Sequence, residues 1–522
     1  MNGINKILMI YPNFSGLRVP LALAILSAKF KEMGIDVKVF DTTFFQLEQK
    51  PDFELMEKRR VVKKSQIELM LGEFVYVDLK EETKKVVTEY QPDLIVTSVL
   101  ERGYKWCDIM VTACKEVAPD VPLIAGGILA TIYPDILVQH PCIDYVCRGE
   151  GEIFMEDFIK YHHDEKKLKQ IPNLMYQDAV GQIISNPLGP LTNMNEVPFQ
   201  DWEAFDKRHL YKPYDGNVWV GGSFEFSRGC YKQCSFCVAP SLRNDYSNEG
   251  MKKYHRTKDP EYAIAEIKQK KEQYGMTFLA MCDTDFISAV PKDIFFEFCK
   301  LYKEEINIPW IMQTSAESFS EDKLKALVDS GCVSASIGVE SGSQYIRDNV
   351  IIKSASKARL KKTFAMCRDY NFRTTANYMM GVPYETEENI WDTIKFNREI
   401  NPPSIAITFF VPFLGTELYD ICLKEGFYKG FDPSQNVYKY SPLTMPQLSS
   451  EKIDEMIKYF VDDFSEYQVD IKNISQETID NNYQYVEKLY GGTLPDVNKT
   501  LKENGEINDF NAPQFLDLDE AM

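Results

Sequence analysis

Long apolar runs are missing from this sequence. None approaches the ~20 residues that a membrane-spanning helix requires. Positive charge is in deficit: 59 Lys and Arg face 78 Asp and Glu, a formal net charge of -19. That balance disfavours a general affinity for phosphate backbones, although it leaves room for a local basic patch. Histidine is scarce, at five residues. Grouped cysteines are nearly absent as well. Of 12 cysteines, all but three stand singly, at Cys107, Cys114, Cys142, Cys147, Cys282, Cys299, Cys332, Cys367 and Cys422. Scattered thiols of this kind argue against a disulfide framework or a second metal cluster, and they suit a reducing compartment. The first residues are too short in apolar length for a signal peptide. The expectation is a cytoplasmic protein, and the 44% hydrophobic, 26% charged composition fits a globular chain with sizeable cores.

The remaining three cysteines lie in Arg228-Gly-Cys-Tyr-Lys-Gln-Cys-Ser-Phe-Cys, a C-x3-C-x2-C spacing at Cys230, Cys234 and Cys237. Three thiolates this close can hold three irons of a [4Fe-4S] cubane and leave the fourth iron open for chemistry. The alternatives are a zinc site or three buried thiols. Structural zinc usually takes four protein ligands, and no fourth Cys or His stands at a matching spacing.

Residues 6–160 alternate short apolar runs with helical patterns. Strands are expected at Lys6–Pro12, Asp36–Asp41, Leu94–Val99, Pro122–Gly127 and Asp144–Gly149, with a helix from Pro20 to Met33. Apolar strands separated by helices predict a doubly wound parallel sheet, with its ligand crevice at the carboxyl ends of the strands. Asn173–Asp178 and Gly181–Asn186 predict a hairpin. The proline-bearing stretch 187–216 reads as a surface linker. A second β/α series starts at Ser223 and contains six strand candidates, a barrel or partial barrel with chemistry at the strand ends. Those ends hold Cys230, Asp283, Asp285, Gln313, Glu340, Asn377 and Pro412. Ser449–Tyr467 reads as an amphipathic helix and Asn508–Met522 as a loosely docked tail. The expected division is 1–190 for the doubly wound domain, 191–220 for the linker, 221–428 for the barrel and 429–522 for a mostly helical region that caps the barrel and shapes substrate choice.

On these motifs the chain resembles the radical S-adenosylmethionine (SAM) superfamily. Ile337-Gly-Val-Glu-Ser-Gly-Ser, Tyr378-Met-Met-Gly-Val-Pro-Tyr-Glu-Thr and Val411-Pro-Phe-Leu-Gly-Thr-Glu-Leu-Tyr resemble its fourth-, fifth- and sixth-strand motifs. Pro12–Leu23, Ala125-Gly-Gly-Ile-Leu-Ala-Thr and Ile143-Asp-Tyr-Val-Cys-Arg-Gly-Glu-Gly-Glu resemble the cobalamin-binding domain that precedes the barrel in one branch. The resemblance implies a [4Fe-4S] cluster, SAM and cobalamin. It also implies a 5′-deoxyadenosyl radical and, as the leading expectation, C-methylation of an unactivated carbon. Rearrangement, ring change or carbon–carbon coupling without methyl transfer is the alternative. An external electron donor of flavodoxin or ferredoxin type is implied, with a small molecule or peptide as substrate. The cobalt-ligating pattern Asp-x-His-x-x-Gly is absent.

The resemblance places Phe236 near the adenine and Asp283 or Asp285 near the methionine amino group; a helix cap or turn is the plainer role for the two aspartates. Glu340 is expected to accept the ribose hydroxyls, with Ser341 beside it. Gln313 and Ser315 would meet the carboxylate or ribose, or be satisfied inside the barrel. Gly381 and Pro383 would let backbone approach the adenine, or simply end a strand. In the first domain Gly126 and Gly127 would let a corrin or its nucleotide tail lie against backbone, with Ser98 and Thr131 as donors; a strand-to-helix turn explains each equally well. Arg148, Glu150 and Glu152 match the branch or serve the interdomain contact.

Overall fold

A computed structural model describes residues 3–13, 16–46, 71, 75–432, 441–465, 471 and 474–490. The tail at 508–522 and most of the irregular stretch after Thr43 lie outside them. The first sheet has seven strands: β1 (Lys6–Tyr11), β2 (Asp36–Asp41), β3 (Leu94–Ser98), β4 (Leu123–Gly126), β5 (Tyr145–Cys147), β6 (Leu174–Gln177) and β7 (Ile183–Ser185). Their order is β2-β1-β3-β4-β5-β6-β7. The first five run parallel, with Ile7 opposite both Val37 and Leu94. The hairpin β6–β7 continues the sheet antiparallel from β5. Helices pack on the sheet because β1 and β3 are apolar on both faces: Ile7, Leu8, Met9, Ile10, Leu94 and Ile95 are all buried.

The second sheet is an open barrel. An antiparallel edge strand, β8 (Tyr211–Tyr214), precedes six parallel strands: β9 (Asn217–Phe224), β10 (Phe278–Met281), β11 (Trp310–Thr314), β12 (Cys332–Glu340), β13 (Arg373–Met380) and β14 (Ser404–Phe409). The strand expected at Ser223 therefore starts at Asn217. The stretch read as a surface linker is largely built in: Val197, Trp202, Phe205, Leu210 and Tyr211 are buried. Pro213 obscured β8, yet an edge strand tolerates a residue with no N–H. Helices such as Pro260–Tyr274 and Glu321–Asp329 connect the strands. The first ends on Gly275 in the left-handed region, which costs glycine little.

Two C-terminal helices serve different ends of the barrel. Ser450–Ser465 lays Ile453, Met456, Ile457 and Phe460 against the barrel near β13, and Arg398 pairs with Asp463. Gln476–Tyr490 covers the opposite end. Ile474 and Ile479 pack on Trp219, Phe278, Ile311 and Val333, near the beginnings of the parallel strands, and on Tyr214 at the end of the antiparallel β8. This helix thus plugs the floor of the barrel, at the end away from the cysteine loop. Asn482, 1% exposed, donates to the Val218 carbonyl at 2.6 Å and accepts from the Thr277 hydroxyl. Among the described residues no helix is long and apolar enough to cross a membrane.

Asn482→Ala strips partners from two buried polar groups, a cost of about 1–3 kcal/mol. Urea unfolding monitored by the barrel tryptophans is expected to give a lower midpoint and an unfolding free energy reduced by that amount. An unchanged midpoint would show that the floor helix contributes nothing to the barrel.

Candidate functional site

Strand β9 ends at Phe224 and the chain turns into the cysteine loop. Ser227 and Arg228 pair antiparallel with Thr257 and Arg256. Gly229 then takes φ +100°, where a Cβ would stand 3.1 Å from the Tyr254 carbonyl, so only glycine fits without displacement. Two backbone bonds and one guanidinium hold the loop: Ser235 N donates to Ile351 O at 3.3 Å, Leu418 N to Ser235 O at 3.0 Å, and the Arg243 side chain, through Nη1, to the Cys230 carbonyl at 2.7 Å. Cys230, Cys234 and Cys237 are free thiols. The amides of Lys232 and Ala239 point at the sulfurs of Cys230 and Cys237, at 3.4 and 3.5 Å. Burial raises all three thiols, Cys237 to about 12, so a bound metal must itself drive their deprotonation. Among the described residues no three His, Cys, Asp or Glu form a cage for a single metal ion. A cubane needs no such cage, because each thiolate takes a different iron. The donor set fits that cluster.

The carboxylates after β10 are engaged with protein. Asp283 is 1% exposed and accepts from the amides of Phe226 and Ser227 at 3.1 and 2.5 Å, and from the Ser227 hydroxyl. It fastens β10 to the start of the cysteine loop. Asp285 accepts from Thr314 Oγ1 at 2.7 Å and Ser315 Oγ at 2.5 Å, and caps the short helix Phe286–Ala289. Ser315 is thereby tied to Asp285 and to Ser318. Gln313 is half-buried, and its side chain makes no hydrogen bond among the described residues.

At the end of β12 the backbone is strained. Glu340 has φ +66°, uncommon for a residue with a side chain and concentrated at functional sites. A register shift between Gly338 and Glu340 accompanies it. The Glu340 carboxylate receives Lys353 Nζ at 2.9 Å, and Nζ lies 5.7 Å from the centre of the Phe236 ring. A Cβ at Gly338 would stand 2.2 Å from Glu340 Oε1 and 2.8 Å from Lys353 Nζ. The glycine therefore makes room for the pair. Phe236, Glu340 and Lys353 come together near Cys234, where the charge of Lys353 partly counters the rise that burial imposes on the thiol. Lys353 was missed in the sequence, since no motif marks it. Ser341, by contrast, turns inward to Thr393 at 3.2 Å.

Gly381 takes φ +84° at the end of β13, and a Cβ there would meet Ile453 Cδ1 at 2.8 Å. Its close approach is thus to the C-terminal helix. Its amide donates to Glu385 Oε2 at 2.6 Å. Pro383 is buried in the same turn. Glu385 is 1% exposed, and among the described residues its Oε1 has no partner. Burial pushes its carboxyl up to about 8, against the pull of the Gly381 and Val382 amides.

In the first domain a cavity of about 310 Å³ lies at the carboxyl ends of β3, β4 and β5. Its walls are mainly apolar, with Leu23, Val96, Ile124 and Met155, and Ser98, Gly126 and Gly127 line it. A Cβ on Gly126 would meet protein only at 3.8 Å, so its absence serves the cavity. A Cβ on Gly127 would stand 2.8 Å from Val99 N, so that glycine is demanded by the neighbouring strand. Thr131 is turned to protein, donating to the Gly127 carbonyl at 3.1 Å and accepting from Gly149 N at 2.9 Å. An apolar slot floored by glycine fits a flat heterocycle such as the nucleotide tail of cobalamin. No histidine lines it. His140 is held by Asp108 at 2.8 Å, and His209 by Asp41 at 2.5 Å.

The same cavity reaches Glu225 and Arg228 of the barrel domain. Arg228 binds Glu152 at 2.7 Å and Glu225 at 2.6 Å, with Glu150 at 3.5 Å. Arg256 meets Glu150 at 2.5 Å. Burial works against the Glu150 and Glu225 carboxyls, yet Arg228 and Arg256 hold Glu150 well below the usual range, and Arg228 with Lys258 lowers Glu225. Glu150 and Glu152 are therefore interdomain residues, whereas Arg148 reaches Ser185 at 2.7 Å within its own domain.

Residues 224–396 match the family model of the Radical SAM superfamily, and residues 61–159 that of the B12 binding domain. The chain thus carries a radical SAM domain preceded by a B12-binding domain. Among curated proteins it is 24% identical to an anaerobic magnesium-protoporphyrin IX monomethyl ester cyclase of Rubrivivax gelatinosus, over 66% of this chain and 60% of the cyclase. It is 25% identical to an uncharacterized methyltransferase of Pyrococcus horikoshii, over 75% of this chain and 82% of that protein. The fold matches TsrM from Kitasatospora setae, a radical SAM methyltransferase solved with cobalamin and a [4Fe-4S] cluster. That match has a TM-score of 0.60 at 15% identity and covers 99% of this chain and 92% of TsrM.

Glu385 generates a pH test. An unfolded glutamate titrates near ~4.3, so the folded chain favours the protonated form. Stability from this group is complete below that value and falls as pH rises towards about 8. Glu385→Gln, neutral throughout, is expected to match the wild-type urea midpoint at pH 5 and to exceed it at pH 9. A difference between the two proteins that does not change with pH would contradict a buried protonated carboxyl.

Proposed function

We propose that this chain is a cobalamin-dependent radical SAM enzyme that methylates an unactivated carbon. The observation that carries this reading is the Arg228 contact: the residue two before Cys230 is bound to Glu152 of the first domain. It sets the cavity of that domain beside the cysteine loop. When bound, the cluster supplies the electron that splits SAM and cobalamin supplies a methyl carrier. The residues of this chain bind, orient and enclose.

Cys230, Cys234 and Cys237 would hold the cluster through three of its irons, and the remaining iron would be available to SAM. Glu340 accepts the ribose hydroxyls, with Lys353 fixing the carboxylate and Phe236 alongside the adenine. Gln313, unpaired and half-buried at the end of β11, is the open polar group on the methionine side. Asp283, Asp285, Ser315 and Ser341 act by positioning, since protein groups already occupy their polar atoms. Gly381 and Pro383 shape the turn over the adenine side. Ser98, Gly126 and Gly127 line the slot for the cobalamin tail, with Thr131 supporting the turn. No histidine of this cavity would be available to ligate cobalt. The substrate is a small molecule or peptide, and a carrier protein provides electrons. A second reading, ring formation without methyl transfer, draws on the relative named a cyclase.

Anaerobic reconstitution with iron, sulfide and cobalamin tests both. The wild type is expected to take up about four irons, retain cobalamin through gel filtration and convert SAM to 5′-deoxyadenosine. Cys234→Ala is expected to lose iron and 5′-deoxyadenosine together. Glu340→Ala is expected to keep its iron but weaken SAM binding by about 10- to 100-fold, the value of hydrogen bonds to a charged acceptor. A protein that makes 5′-deoxyadenosine and retains no cobalamin would favour the second reading.

A further inference from the structure

The outer side of the cysteine loop holds a feature that this reaction does not use. A cavity of about 590 Å³ opens between the loop, the helix Ala239–Asn248 and residues 251–257. None of its lining residues is Asp or Glu, whereas Arg243, Lys252 and Lys253 are all cationic, in a chain of net charge -19. Lys252 and Lys253 are exposed on its rim. Tyr231, covalently next to Cys230, is 60% exposed, with its ring 4.7 Å from that of His255. Arg243 spends Nη1 on the carbonyls of Cys230 and Lys232, while its Nη2 and the Nε2 of His255 have no partner among the described residues. Neither Phe236 nor Glu340 lines this cavity. Tyr231 is the residue of the cysteine loop that lines it.

We propose that this groove docks an acidic one-electron carrier protein, which reduces the cluster held by Cys230, Cys234 and Cys237. The inference rests on the cluster reading above. An acidic carrier is repelled by the field of this chain as a whole, so a local cationic surface is what can capture and orient it. Tyr and Arg are the residue types that anchor protein interfaces, and here both adjoin Cys230. The exchange is simple: the carrier loses one electron, the oxidised cluster gains it, and no bond or proton moves. The open groove with exposed lysines on its rim suits a protein surface better than a small anion, which would want an enclosed seat.

The double substitution Lys252→Glu, Lys253→Glu tests the docking, because both side chains lie outside the core. Cluster bleaching is followed by absorbance in the full reconstituted chain, with either reduced flavodoxin or dithionite as donor, at low and high salt. The flavodoxin rate is expected to fall at least tenfold in the variant, and to fall with salt in the wild type, while the dithionite rate stays unchanged. Carbodiimide coupling is expected to join flavodoxin carboxylates to Lys252 or Lys253 of the wild type. Equal flavodoxin rates in variant and wild type would overturn the docking. So would phosphate binding, by calorimetry, that the variant loses without any change in flavodoxin rate. A wild-type chain whose iron is bleached by neither donor contradicts the cluster reading instead.

Discussion

The guanidinium of Arg228 is the joint on which the arrangement depends. It stands two residues before Cys230 and gathers Glu150, Glu152 and Glu225, two of them from the other domain. Arg256 supplies the second positive charge. Buried charges of this kind are costly to remove from water, and losing one partner leaves the others uncompensated, typically at 3–5 kcal/mol. The return is geometric. Because the arginine leads into the cysteine loop and Glu150 and Glu152 stand just after β5, a rotation of one domain against the other would break the cluster of charges. The strand ends of the first domain are thereby held against the mouth of the second.

From that joint the rest of the site follows in order. Asp283 fastens the start of the loop to β10, and Asp285 fastens β10 to β11 through Thr314 and Ser315. The polar groups at these strand ends thus form a frame, and only a few remain to meet a ligand. Glu340 is the one placed by a strained backbone and a room-making glycine, which sets its carboxylate beside Lys353 and Phe236. Radical chemistry needs such a frame, because a reactive intermediate must be enclosed and must meet one substrate atom.

Much of this was legible in the sequence. The β/α alternation located the strands of both sheets, since parallel strands buried on both faces must be apolar throughout. The spacing of Cys230, Cys234 and Cys237 located the loop. What could not be read were the pairings across distance. Arg256 and Glu150 are 106 positions apart, and the bonds of Asp283 to the loop span 56 and 57. Lys353 carries no motif, and its importance comes only from the fold that lays it on Glu340. The missing side chains of Gly127 and Gly381 also make room for Val99 and Ile453, contacts that residue type alone does not show. The buried edge strand β8 was hidden by its proline.

The central claim is that the slot beside Ser98 and Gly126 and the thiols of the loop serve one reaction space. A crystal structure of the anaerobically reconstituted protein with cobalamin and SAM tests it most directly. The account predicts corrin density between the domains with its nucleotide tail against Gly126, and SAM on the open iron with its ribose on Glu340. Density for either cofactor elsewhere, or an empty interdomain cavity beside an occupied cluster, would contradict it.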